Sequence, residues 1–175
     1  MRIPGVLAAA LLVGAAACST LELSTDYSPG TDFTRYRTFS FKGGATPRNP
    51  VAARSAEYAI GLALEGRGLT PAEAGGDLHV YMHFVLDRKL EVESYGYGTA
   101  GWYGMAWGGP VTTQVREIPV GTVVIDLVDA GSNGLVWRGV VKDEISTTAE
   151  PEEREKKAIE VARKLFAGFP PGSRE

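Results

Sequence analysis

His79 and His83 stand four residues apart, the spacing at which two imidazoles on a helix share one face and can share a zinc ion. The residues around them alternate polar and apolar, which is strand periodicity. On a strand they still share a face, but ~13 Å apart at ~3.3 Å per residue. No third nitrogen or sulfur ligand clusters near them, so no metal site is expected. Two carboxylate pairs, Asp126 with Asp129 and Asp143 with Glu144, invite an acid–base reading. That chemistry needs two carboxyls in opposed environments, and neither pair offers them. Asp129 is placed to start the turn at Ala130, and Asp126, inside a strand, is expected to pair with Arg138 across the hairpin. Gly96-Tyr97-Gly98-Thr99-Ala100-Gly101 spells G-x-G-x-x-G, a dinucleotide fingerprint only where a helix opens from it. Gly104, Gly108, Gly109 and Pro110 follow at once and will not make that helix. No G-x-S-x-G and no H-E-x-x-H is present. The expectation is a chain with no catalytic residue, no metal and no cofactor, and no enzyme.

The one cysteine, Cys18, has a different chemistry available. Arg2 supplies a positive start, and Ile3 to Ala17 carries no charge and ends in Ala15-Ala16-Ala17. A helix of about 15 residues spans ~22 Å, short of the ~30 Å hydrocarbon core. A cleaved export signal is therefore expected rather than a membrane span. Leu11-Leu12-Val13-Gly14-Ala15-Ala16-Ala17-Cys18 resembles a bacterial lipoprotein signal, with Ala15 standing where such signals usually have Leu. The resemblance implies cleavage before Cys18, a thioether-linked diacylglycerol on its sulfur, and acylation, typically palmitate, of the new N-terminus. Ser19 follows, not the Asp that would imply retention at the inner membrane, so the resemblance points to the outer membrane, inner leaflet, facing the periplasm.

The organisation expected is a signal peptide over 1–17, a short lipid-anchored tether over 18–20, one domain over 21–171 and a tail over 172–175. Cleavage would remove only Arg2 among the charged groups, leaving a mildly acidic domain without a long run of Lys or Arg. Neither nucleic acid nor anionic lipid head groups are therefore expected as charge-driven partners. With Cys18 acylated there is no disulfide, and the core alone must carry stability.

The elements that position these residues follow from periodicity. Strands are expected over Leu21–Tyr27, Tyr36–Lys42, Asp77–Glu93, Val111–Ile118, Gly121–Asp129 and Leu135–Ile145, with Pro119 interrupting the fourth and fifth and Ala130–Gly134 forming a hairpin turn. In the third, Leu78, Val80, Met82, Phe84, Leu86, Leu90 and Val92 share one face. Helices are expected from Val51 to about Arg67, capped by Asn49 with Pro50 first, and from Pro151 to Gly168. The fold class is α+β: an antiparallel twisted sheet of about five to six strands with two helices packed on one face. Ser94 to Pro110 is a long glycine-rich loop carrying Tyr95, Tyr97, Trp102, Tyr103 and Trp107. Such aromatics suit a contact loop, able to meet lipid, peptidoglycan or an envelope protein.

Asp26-Tyr27, Asp32-Phe33-Thr34-Arg35-Tyr36-Arg37-Thr38-Phe39-Ser40-Phe41, Gly76-Asp77-Leu78-His79-Val80, the strand Gly121 to Asp129, Leu135-Val136-Trp137-Arg138-Gly139 and Phe166-Ala167-Gly168-Phe169-Pro170-Pro171 together resemble the bacterial lipoprotein family known as domain of unknown function 4136. The resemblance implies a small α+β envelope domain and no established activity. The function expected is that of a non-enzymatic envelope lipoprotein acting by contact. The alternatives are a module binding a small molecule or lipid between the sheet and loop 94–110, and a periplasmic enzyme.

Overall fold

The computed structural model describes residues 20–43, 50–96, 111–146 and 148–172, and of residues 91–96 and 111–114 the backbone alone. The elements are β1 (Glu22–Tyr27), a 3-10 turn (Phe33–Arg35), β2 (Thr38–Phe41), α1 (Pro50–Glu65), β3 (Thr70–Pro71), β4 (Leu78–Gly96), β5 (Val111–Asp129), β6 (Leu135–Glu144) and α2 (Pro151–Leu165). The strands form one six-stranded sheet in the order β1-β6-β5-β4-β2-β3.

The fold is α+β with two helices, as the periodicity predicts, but the sheet is mixed rather than antiparallel. β1, β6, β5 and β4 are antiparallel neighbours, whereas β2 runs parallel to both β4 and β3. The cause is the connection. The chain leaves β2 through α1 before re-entering the sheet, and a crossover through a helix brings the next strand back in the same direction. Asn49, expected to cap α1, lies outside the described residues.

β5 is also continuous through Pro119, where two strands were expected. The N–H and C=O of a strand residue point to the same side. The Pro119 carbonyl accepts from Ile145 N (2.8 Å), one residue beyond the end of β6. The missing N–H therefore falls past the β6 ladder, a position a proline can hold.

One sheet face carries the core. Phe39, Leu78, Val80, Met82, Ile125, Leu127 and Trp137 are buried there against Ile60 and Leu64 of α1 and Leu165 of α2, with Phe166 and Phe169 just beyond. Trp137 stacks on Phe166 at 4.7 Å between centroids, and Phe169 meets both edge-on. The close approach of α2 depends on Gly139. A Cβ there would stand 2.5 Å from Trp137 and 2.9 Å from Leu165. α2 starts on Pro151, with Glu150 N donating to Glu153 Oε2 (3.4 Å), and ends on Arg163 and Lys164, charges that suit its dipole.

The apolar face of β4 is buried only in part. Leu78, Val80 and Met82 are covered, but Leu86 and Leu90 are each 63% exposed, against the expectation of one continuous buried face. β6 ends at Glu144, opposite Val120, and β4 and β5 continue as a two-stranded ribbon to Gly96 and Val111. Alternation marks which side of a strand a residue occupies, and here nothing among the described elements covers that side.

Candidate functional site

The described residues hold three polar clusters, each built by a different part of the sheet. At the end away from the ribbon, Asp129 closes β5. Ser132 donates to its Oδ1 from both backbone N (2.7 Å) and Oγ (2.8 Å), Tyr36 OH donates to Oδ2 (2.9 Å), and the Arg35 guanidinium pairs with Oδ2 as well. Asn133, at φ 53°, completes the turn that brings Ser132 back. The Ser132 donors, then Tyr36 and Arg35, hold the Asp129 carboxyl far below the usual carboxylate range. Burial first, then the hydrogen bond to Asp129, pushes the Tyr36 phenol up. Beside it, Asp77 Oδ2 accepts from Arg37 N (2.8 Å), Thr38 N (2.9 Å) and Thr38 Oγ1 (3.0 Å). These donors lower its pKa, the Arg37 amide first. Gly76 lets the chain cross β2 closely; a Cβ would stand 2.6 Å from the Phe39 carbonyl carbon.

Arg35, Tyr36, Gly75, Gly76, Asp77 and Asp129 line an open cleft of about 260 Å³. Both its carboxylates are already engaged by donors from their own chain. The arrangement clamps β2, β4 and the β5–β6 turn together.

The second cluster lies on the face opposite the helices. Arg138 Nε donates to Asp126 Oδ1 (2.6 Å) and its second nitrogen to Oδ2 (2.7 Å), the pair expected across the hairpin. Asp26 of β1 lies in register on the far side of Arg138, and Tyr81 of β4 on the far side of Asp126. His83 Nε2 approaches Asp126 Oδ2 at 3.9 Å. His79 pairs in register with Val128 and is half-buried, away from that pair. Both histidines thus sit on one strand, and among the described residues His83 is the one within 4 Å of a carboxylate. Among the described residues no group of three or more His, Cys, Asp or Glu side chains is placed to hold a metal ion. Among the described residues, Asp126 and Asp129 share no hydrogen-bond partner.

The third cluster is at the ribbon end. Asp143 Oδ1 accepts from Thr20 Oγ1 (3.1 Å), and its Oδ2 pairs with Lys157 of α2 (2.7 Å). Lys142 pairs with Glu22 (3.3 Å), and Glu144 with Lys89 (3.7 Å). Asp143 and Glu144, adjacent in sequence, therefore serve opposite neighbours: Asp143 ties the N-terminal segment to α2, and Glu144 ties β6 to the ribbon. Sequence reasoning missed this latch and the Asp129 clamp. The latch had a readable signal in the alternation of Lys142 against Asp143 opposite Glu22.

Of the candidate residues, Cys18, Tyr97, Trp102, Tyr103 and Trp107 lie outside the described residues, and Tyr95 is described by its backbone, near the end of β4. No helix among the described residues is long and apolar enough to cross a membrane.

The fold recurs in solved structures. A PDZ domain protein from Parabacteroides distasonis superposes with a TM-score of 0.58 at 15% identity over 87% of this chain, which spans 36% of that protein. The PelC dodecamer from Paraburkholderia phytofirmans gives 0.51 at 16% identity over 89% of this chain and 99% of its own. A minor lipoprotein from Acinetobacter baumannii is looser, at 0.42 and 10% identity over 77% of this chain and 92% of its own. At these identities the likeness is one of fold. No curated protein matches the sequence. A family model described as "Domain of unknown function (DUF4136)" matches residues 23–171, and the chain belongs to that family.

Proposed function

We propose that this protein is a non-enzymatic lipoprotein of the cell envelope. It is cleaved before Cys18, held by acyl chains on that residue in the inner leaflet of the outer membrane, and faces the periplasm. There it acts by contact with the lipid surface, with an envelope protein, with peptidoglycan or with further copies of itself. The observation that carries the contact reading is the β4–β5 ribbon, which leaves the sheet with Leu90 and Val115 each more than 60% exposed and Leu86 equally exposed at its base. Exposed apolar side chains gathered on one surface mark interaction sites. Gly96 also leads into the segment whose sequence holds Tyr97, Trp102, Tyr103 and Trp107, residue types that favour interfaces. The PelC structures that share the fold are dodecamers, so contact between copies is the first to test.

The test joins intact-mass measurement of membrane-extracted protein, with and without globomycin, to crosslinking in the native envelope. The expected result is a triacylated N-terminus at Cys18, absent from Cys18→Ala, and crosslinked species that disappear when Tyr95, Tyr97, Trp102, Tyr103 and Trp107 are replaced by Ser. A soluble, unacylated mature chain would overturn the anchor. Unchanged crosslinks and envelope integrity in the five-Ser variant would overturn the contact reading.

A further inference from the structure

The N-terminal segment and the ribbon leave the sheet at the same end. Glu22 of β1 lies in register with Lys142, which lies in register with Thr122, and Thr122 with Val85. From that row the chain runs back through Leu21 to Thr20, while β4 and β5 run on to Gly96 and Val111. Thr20 is tied to the fold by its bond to Asp143. Only Ser19 separates Thr20 from Cys18, so the two Cα atoms lie within about 7 Å of each other. Thr20, two residues beyond Glu22, comes level with Asp87, and a fully extended Cys18 comes level with about Lys89. The ribbon continues to Gly96, overshooting that level by ~23 Å at ~3.3 Å per residue.

The ribbon is amphipathic over the part whose side chains are described. Leu90 and Val115 fall on the face that continues the core side of the sheet, 63% and 62% exposed, with Leu86, 63% exposed, on the same face at the ribbon's base. The charges on that face, Arg88 and Glu117, pair with each other across the strands (3.0 Å). Asp87, Lys89 and Arg116 occupy the opposite face, together with the half-buried Ile118. An apolar face backed by a charged one, with its own ion pair neutralised, is built to lie in a membrane interface rather than to cross it.

The geometry points to a second membrane contact: the apolar face of the β4–β5 ribbon lies on the leaflet that holds the Cys18 acyl chains, with Leu90 and Val115 at headgroup level. This rests on the lipid-anchor reading above. A domain joined to its anchor through a single intervening residue cannot keep a ribbon that overshoots the anchor clear of that leaflet without bending it away. The assignment is to lipid, not to a protein partner, because the anchor itself fixes which surface the ribbon end meets.

The experiment uses the full-length, acylated protein in vesicles of phosphatidylethanolamine and phosphatidylglycerol. Once Cys18 is a thioether, an introduced cysteine is the one free thiol. Leu90→Cys places a nitrobenzoxadiazole label on the ribbon. Ser28→Cys, beside Tyr27 at the opposite end of the sheet, places a control. The expected result is a blue-shifted emission at position 90 that is quenched by nitroxide-bearing lipids, and a label at position 28 that stays in water. If intact mass shows an acylated Cys18 and the label at 90 is as wet as the one at 28, the membrane contact is wrong and the anchor stands. A label at 90 that is shielded but not quenched by lipid nitroxides, with crosslinked dimers, overturns the lipid assignment in favour of a contact between copies. An unacylated mature chain overturns both readings together.

Discussion

Arg138 grips Asp126 across the β5–β6 ladder with both arms of its guanidinium fork, at 2.6 and 2.7 Å. Asp126 is 7% exposed, while the Arg138 side chain keeps about half its surface in water. The carboxylate is thus the partner with most to lose. Arg138→Met is expected to cost about 1–3 kcal/mol, because it leaves a mostly buried carboxylate without its guanidinium and with the His83 imidazole, 3.9 Å away, beside it. Asp126→Asn should cost about 1 kcal/mol less, since the exposed guanidinium can return to water. Denaturant melts of both single variants and the double variant check this; strictly additive costs would mean that the two groups do not interact.

Gly139 sets how closely α2 sits on the sheet. Adding the methyl group of Ala there forces Trp137 and Leu165 to move, because the new carbon would stand 2.5 and 2.9 Å from them. Overpacking of this kind costs ~1–3 kcal/mol. Gly168→Ala meets no atom within 4 Å and serves as the control. Thermal unfolding should show a lowered midpoint for the first variant and an unchanged one for the second. Equal midpoints would show that α2 has room to shift.

Asp129 and Asp77 make stability sensitive to acid. Their donors lower the folded-state pKa of each carboxyl below its value in the unfolded chain, with Ser132 leading for Asp129 and the Arg37 amide for Asp77. The unfolded chain therefore holds more protons in the acid range. The stabilisation is fully present above the ordinary carboxylate value of about 4 and is lost as pH falls below it. Unfolding free energy measured in denaturant should decline as the buffer is taken below that value. Asp129→Asn should be less stable at neutral pH and show a shallower acid decline. A variant with the parent's slope would assign the acid sensitivity elsewhere.

What could be read in the sequence was what local pattern controls. The alternation from Leu78 onward gave β4 and its two faces, and the Ala130–Gly134 turn fixed the hairpin offset that sets Arg138 opposite Asp126. The direction of β2 was not readable, because it depends on the path through α1 rather than on the residues of β2. Pro119 read as a break because a proline's cost depends on which neighbouring strand its missing N–H faces, and the end of β6 is not visible in the residues of β5. Leu86 and Leu90 read as core for a similar reason: periodicity gives the face and not its cover. The Asp129 clamp joins Tyr36 and Arg35 to a turn more than ninety residues away, so no short window contains it.

The ribbon also makes a claim about stability that separates it from the core. Leu90 and Val115 are 63% and 62% exposed, so replacing both by Ser removes little buried surface and should change the unfolding free energy by no more than about 0.5 kcal/mol. Leu78, at 0% exposure on the same strand and the same face, should cost ~2–5 kcal/mol when cut to Ala. Guanidinium melts of the acyl-free Cys18→Ala background compare the two without a membrane. If the double Ser variant proves as damaging as Leu78→Ala, the ribbon is packed against the domain and its apolar face is not available for contact. If it is silent in solution yet loses the vesicle-dependent shielding at the ribbon, its apolar side chains serve the surface outside the protein and not the fold.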